Sequence, residues 1–109
     1  MTEKMYQEKP DVAARFMQCF VEATRHFIKD PTAAEKYVRE TMFKNQVSSE
    51  DYRDAMENAT FTEDIDLSQV QLTTDFMARY NIGKMVAAPQ AKDWVKLDLL
   101  SAAQKAQKN

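Results

Sequence analysis

The chain has 109 residues, with 17 acidic and 15 basic side chains, and its net charge is −2 at pH 7. A general nucleic-acid binder normally presents a basic face, so this charge balance argues against a nucleic-acid partner. One glycine and three prolines are few for the turns of a β-sandwich or an α/β domain. The composition therefore favours an all-α chain of about five helices, and the length fits one domain over residues 1–109 with no internal boundary.

Neither a membrane span nor a signal peptide is predicted, because the chain has no long apolar run and its first residues, MTEKMYQEKP, are mostly polar. Cys19 is the only cysteine, and we expect it to be a small buried core residue rather than a reactive thiol. His26 is the only histidine. No metal or cofactor is predicted, because a metal site needs partner ligands that the chain does not offer.

The first long helix is predicted over residues 10–29. Pro10 suits its first position, because proline has no N–H to lose and its φ is already helical. Apolar residues then recur at steps of three and four, and we expect this stripe to face the core. The stripe consists of Val12, Phe16, Phe20, Ala23 and Phe27. It is flanked by Ala13, Met17, Thr24 and Ile28, so the helix is expected to be covered on two sides.

Two further helices follow in close succession. Asp30 is the expected N-cap and Pro31 the first residue of a second helix that runs to about Lys44. Ser48 is the expected N-cap of a third helix. The inward side of the second helix is predicted to carry Ala34, Tyr37, Val38, Thr41 and Met42. The inward side of the third helix is predicted to carry Tyr52, Ala55, Met56 and Ala59.

Residues 59–65 are predicted to form a loop that presents one aromatic side chain, Phe61. An acidic run follows, formed by Glu63, Asp64 and Asp66. We expect this run to be solvated, since a calcium loop would need more ligands at alternating spacing and a glycine at its turn.

Asp66 is also the expected N-cap of a fourth helix over residues 67–80. Its buried side is predicted to carry Val70, Thr73, Phe76 or Met77, and Tyr80. Asn81 can adopt the left-handed conformation that ends a helix. A helical turn anchored by Trp94 and a last helix capped by Asp98 complete the chain.

No motif of catalysis is present: the sequence lacks GxGxxG, a P-loop, a nucleophile elbow and HExxH. No catalytic residue is predicted, and we expect the protein not to be an enzyme.

The stretch EKPDVAARFMQCFVEATRHFIKDPTAAEKYV resembles the C-terminal part of the periplasmic solute-binding proteins of ABC importers. The closest group is the nitrate, sulfonate and taurine type, with the related thiamine-pyrimidine-precursor binders. The first matching positions are Phe16, Phe20, Ala23, Phe27, Pro31 and Ala34. The next are Gln71, Asp75, Met77, Asn81 and Ile82, with Asn81 where the family usually has glycine. The last are Trp94, Val95, Leu97, Leu99, Leu100 and Ala103.

The resemblance implies the helical C-terminal portion of one lobe in a two-lobed α/β binding protein, periplasmic or lipid-anchored outside the cytoplasm. The implied function is that of a fragment of the substrate-binding component of an ABC importer for a small solute. The implied partners are the remainder of that binding protein, an ABC permease and a small-molecule ligand. The alternative is a free-standing helical module for protein–protein interaction.

Two expectations follow for binding. Phe61 and Thr62 are the candidate ligand-binding residues, because an aromatic beside a hydroxyl lies in a loop. The alternative is that Phe61 only plugs the core. The first helix also carries more apolar surface than short neighbouring helices can cover, so we expect a homodimer through it.

Overall fold

The computed structural model describes residues 1–107. Within this part of the chain the regular structure is helical and no strand is formed, which confirms the all-α prediction. The α-helices are α1 (Glu3–Glu8), α2 (Pro10–Lys29), α3 (Pro31–Tyr37), α4 (Ser49–Glu57), α5 (Leu67–Arg79), α6 (Ala91–Trp94) and α7 (Asp98–Ala106). A π-helical segment, Val38–Met42, continues α3, and a 3-10 turn, Ile82–Lys84, follows α5.

The helix starts follow the predicted caps. The Asp30 carboxylate accepts a hydrogen bond from the Ala33 backbone N–H at 3.0 Å, and the Ser48 hydroxyl accepts one from Asp51 at 3.0 Å. Each bond satisfies one of the backbone donors that a helix leaves free in its first turn.

Asp66 caps α5 by accepting hydrogen bonds from both the hydroxyl and the backbone N–H of Ser68. These bonds lower the pKa of the Asp66 carboxyl. At the other end of α5, Asn81 has the predicted left-handed conformation, with φ of 52°. The predicted cap at Asp98 is wrong: Leu97 occupies the cap position of α7, and the Asp98 carboxylate accepts a hydrogen bond from the Tyr6 hydroxyl at 2.8 Å.

The hydrophobic core lies between α2 and α7. Val21 is fully buried and packs with Leu100 and Ala103, and Met17 and Leu97 are partly buried against these three. Ala13 of α2 is also fully buried. Ala13, Met17 and Val21 follow one another at four-residue steps, so they form a row along one side of α2.

The predicted inward stripe of α2 is wrong. Val12, Phe16 and Phe20 are 49%, 55% and 46% exposed, and Phe27 alone of the large stripe residues is half-buried. At 3.6 residues per turn, Val21 points about 140° away from Phe16. The helices pack through the row that contains the smaller side chains, because small residues allow close approach of two helix axes.

Cys19, predicted to be buried, is exposed. It shares the outward side of α2 with Val12, Phe16, Phe20 and Ala23, all of them exposed. We call these five residues the α2 ridge.

The second helix also differs from its predicted pattern. It changes to π-helical hydrogen bonding at Val38 and ends at Met42 rather than near Lys44. Because i→i+5 bonding from Val38 onward alters the angular spacing of side chains, Thr41 and Met42 do not stay on the face that carries Ala34. Ala34 is buried, whereas Tyr37 and Met42 are exposed.

The remaining helices each bury one small set of residues. Tyr52 is buried in α4, whereas Ala55, and Ala59 just after the helix, are exposed. Thr74 is buried in α5, whereas Phe76, and Tyr80 at the end of the helix, are exposed. The Thr74 hydroxyl donates a hydrogen bond to the Val70 carbonyl at 2.8 Å, which makes its burial tolerable. Ala91, rather than the exposed Trp94, anchors α6.

The chain exposes more surface than its mass requires. Its accessible surface of 8860 Å² exceeds by about 2,700 Å² the roughly 6,200 Å² expected of a monomeric protein of this mass. Its radius of gyration is 17.3 Å, against about 13 Å for a compact domain of this length. Apolar surface on several helices therefore remains uncovered.

Matched valine substitutions on α2 test which side is buried. Val21→Ala removes two methyl groups from a fully buried site, so we expect a loss of about 2–3 kcal/mol in the free energy of unfolding. Val12→Ala makes the same change at a half-exposed site and should cost no more than about 0.5 kcal/mol. Urea denaturation at micromolar protein gives both values, and equal losses would contradict this placement of the core.

Candidate functional site

An open groove of about 640 Å³ lies where the end of α2, the start of α3, α4 and the following loop come together. Its apolar lining is formed by Phe27, Ile28, Pro31, Tyr52, Met56 and Phe61. Its charged lining is formed by Glu35, Arg53 and Glu57. This combination of an apolar floor with a few polar groups is typical of small-molecule sites.

Phe61 lies at the edge of this groove. Its ring centroid is 4.7 Å from that of Phe27, with the rings tilted by 50°, and 45% of Phe61 is exposed. Phe27 is a residue of α2, so this contact holds Phe61 against that helix. The exposed part of the Phe61 side chain is accessible from the groove. The structure therefore brings Phe61 to the groove while anchoring it on the helix.

Thr62, the second predicted binding residue, is not among the residues that line the groove. Its hydroxyl accepts a hydrogen bond from the Asp64 backbone N–H at 3.1 Å. That bond is a local turn of the kind that serine and threonine often make. A ligand role for Thr62 stays a prediction, and the structure gives its hydroxyl a role in shaping the loop.

A polar cluster fixes the loop that carries Phe61. Arg25 donates two hydrogen bonds, both of 2.7 Å, to the Glu63 carboxylate and a third of 2.8 Å to the Gln107 carbonyl. Gln104 donates to Glu63 at 3.2 Å and to Asp64 at 2.9 Å. The expectation that this acidic run is solvated is therefore wrong for Glu63, whose side chain is only 16% exposed.

The ion pair shifts the pKa of both partners. The hydrogen bond from Arg25 lowers the pKa of Glu63 more than the partial desolvation of the carboxyl raises it. The same hydrogen bond raises the pKa of Arg25. A bidentate arginine–carboxylate pair is geometrically specific, so it holds the loop in one position relative to α2 and α7.

Glu35 connects α3 with α4 at the wall of the groove. Its carboxylate accepts a hydrogen bond from the Ser49 hydroxyl and lies 3.7 Å from the guanidinium groups of Arg39 and Arg53. The Arg53 side chain is 72% exposed, so most of its donors are open to solvent or to a bound anion. The groove therefore offers an apolar floor, one cationic donor and the carboxylates of Glu35 and Glu57.

A second cavity, of about 440 Å³, lies between α1, α2, α6 and the start of α7. Its lining includes Tyr6, Met17, Trp94, Lys96 and Leu99. The hydrogen bond from Tyr6 to the Asp98 carboxylate raises the pKa of the tyrosine. Lys96 donates its own hydrogen bond to the Asp93 carbonyl at 2.9 Å, so Tyr6 and Lys96 both serve local structure.

The α2 ridge is the surface that the sequence pattern assigned to the core. A shorter strip of the same kind lies on α5, where Leu72, Phe76 and Tyr80 are exposed at four-residue steps. The Phe76 and Tyr80 rings contact each other, with centroids 4.6 Å apart. Contiguous exposed apolar surface is a feature of protein interaction sites.

Comparisons with protein-family models, with curated proteins and with solved structures give no match to this chain. Over residues 1–107, no helix has both the length and the apolar character needed to cross a bilayer. In the same residues, histidine, cysteine and carboxylate side chains do not gather in a group of three that could hold a metal ion.

The Arg25–Glu63 pair predicts a specific pH dependence of stability. Because the folded-state pKa of Glu63 is lowered, its contribution is present above the unfolded value of about 4.3 and is lost as pH falls through the folded value. Glu63→Gln should therefore be less stable than the parent at pH 7, and the difference should shrink as pH falls below about 4.3 through the lowered folded-state value.

Urea midpoints from pH 7 to pH 2.5 measure this difference. Glu57→Gln is the matched control, because Glu57 is exposed and forms no ion pair within residues 1–107. A Glu63→Gln deficit that is constant over this pH range would contradict the role of the ionised carboxylate.

Proposed function

We propose that the chain supplies the helical part of one lobe in the substrate-binding component of an ABC importer for a small organic or inorganic solute. In this proposal the α2 ridge packs on the sheet of that lobe. The observation that carries the proposal is the exposure of Val12, Phe16 and Phe20 on a helix whose opposite side is already packed on α7.

Helices that lie on a sheet in α/β lobes need an apolar side toward the sheet, and neighbouring helices cover another side. The arrangement of α2 fits this requirement, because its row of Ala13, Met17 and Val21 is covered and its ridge is not. The surplus of about 2,700 Å² over a monomer of this mass is large enough for such a contact. The family resemblance names the same stripe, Phe16, Phe20 and Ala23, among its matching positions.

In the complete binding protein, the solute is captured by closure of two lobes about a hinge. The groove beside Phe61 is the part of this chain best suited to contribute to such a site. Arg53 at its wall fits the anionic group of a nitrate-, sulfonate- or taurine-like solute, and the aromatic floor fits a pyrimidine. The proposal includes no catalytic step, and its further partners are the rest of the binding protein and the permease.

Calorimetry on the 109-residue chain tests the ligand part of the proposal. The groove is open and provides only part of the enclosure on which small-ligand affinity depends, so nitrate, taurine and pyrimidines should bind no better than about millimolar. Phe61→Ala should weaken any measurable binding further, whereas Phe43→Ala, at an exposed phenylalanine outside the groove, should not. Micromolar binding would contradict the proposal, because it would mean that these residues hold a complete site.

The second candidate is a free-standing helical interaction module. The α5 strip favours it, because Leu72, Phe76 and Tyr80 form a second exposed apolar surface apart from α2. The genes beside the one for this chain discriminate between the candidates. A permease gene and an ATPase gene support the transport component, and their absence favours the interaction module.

A further inference from the structure

We infer that, when the 109-residue chain is on its own, its α2 ridge is covered by the α2 ridge of a second copy in an antiparallel, two-fold symmetric pair. This inference goes beyond the proposed function, because it concerns a form in which no sheet covers the ridge. The sheet and the second copy would use the same surface, so each excludes the other.

The ridge has the apolar composition of a helix–helix interface. From Val12 to Ala23 it extends along α2 for about 16 Å, at 1.5 Å per residue. Its two phenylalanines lie near its middle and are about half exposed. A two-fold contact needs one patch that matches itself, and a standard interface removes about 800 Å² from each partner. The surface surplus of the chain as a whole, about 2,700 Å², exceeds this requirement, so surface beside the ridge is also available to the contact.

Charges along the edge of the ridge select the antiparallel orientation. Arg15 and Glu22 are both exposed, and seven residues correspond to nearly two full turns, so both lie along one edge. Neither forms an ion pair within residues 1–107. An antiparallel pair places Arg15 of each chain beside Glu22 of the second copy, twice by symmetry. In a parallel pair this edge of each copy would lie on opposite sides of the contact, so Arg15 and Glu22 would not meet.

The ends of α2 agree with this orientation. Asp11 lies in its first turn and Lys29 in its last, so an antiparallel pair brings each of them close to the opposite charge of the second copy. The two helix dipoles then also run in opposite directions.

The register follows from the charges. The midpoint between Arg15 and Glu22 falls between residues 18 and 19, which puts the two-fold axis next to Cys19. Packed helix axes are about 8–10 Å apart and Cα atoms lie about 2.3 Å from each axis, so directly facing Cα atoms are about 3.4–5.4 Å apart. This range overlaps the Cα separations of about 4.4–6.8 Å that a disulfide spans, and Cys19 is exposed on the ridge.

The first experiment is a charge-exchange cycle followed by sedimentation equilibrium. The parent chain should be dimeric at tens of micromolar and dissociate on dilution. Arg15→Glu and Glu22→Arg should each raise the dissociation constant about tenfold or more, because each creates two like-charge contacts. The double variant should restore dimerisation, which an effect on the monomer alone would not do. Circular dichroism checks that each variant keeps its helices.

The second experiment uses the native cysteine of the parent chain and needs no disruptive substitution. With copper–phenanthroline as oxidant, two Cys19 thiols lose two protons and two electrons and form one disulfide between copies. The matched control carries Gln18→Cys with Cys19→Ser, which moves the thiol about 100° round the helix and away from the ridge. The parent should cross-link at least tenfold faster than this control.

Three results would overturn the inference. They are a parent chain that stays monomeric at several hundred micromolar, a double charge variant as weak as the singles, and equal cross-linking of the parent and the Gln18→Cys control. None of these measurements involves a solute, so their failure is distinguishable from failure of the proposed transport role.

Discussion

The packing of α2 on α7 determines the rest of this structure. The contact joins residues about eighty positions apart in sequence, Val21 with Leu100 and Ala103, and these are among the few fully or nearly fully buried side chains of the chain. It also brings the end of α7 beside Arg25, so that Gln104, Gln107 and Glu63 can complete one hydrogen-bonded cluster. The loop that carries Phe61, and with it the groove, is positioned by this cluster.

Local features of the structure were predictable from the sequence because their causes are local. Pro10, Asp30, Ser48 and Asp66 start helices through the conformation of proline and through side-chain oxygens that accept the first free backbone N–H groups. Asn81 ends α5 because asparagine tolerates the left-handed conformation. Each of these signals acts within a few residues, so no tertiary information is needed to interpret it.

The orientation of α2 was not predictable in the same way. Its two apolar rows have the same helical period, and one contains Phe16 and Phe20 while the other contains Ala13 and Val21. Hydrophobicity alone favours burial of the aromatic row, but α7 packs on the row with smaller side chains. Similarly, the loop at 59–65 was predictable, whereas its attachment through Arg25 and Glu63 depends on two residues 38 positions apart.

The ridge of α2 can have only one occupant at a time, and covalent connection decides which one. A sheet in the same polypeptide, or in a bound subunit, meets the ridge at an effective concentration in the millimolar range for short linkers. A second copy of the chain is present only at its own solution concentration. For contacts of similar intrinsic strength, the sheet therefore displaces the second copy from the ridge. The homodimer then forms only where no sheet covers the ridge. The exposed phenylalanines Phe16 and Phe20, through which we infer that the separate chain self-associates, are also the residues that would pack on the sheet in the proposed transport component.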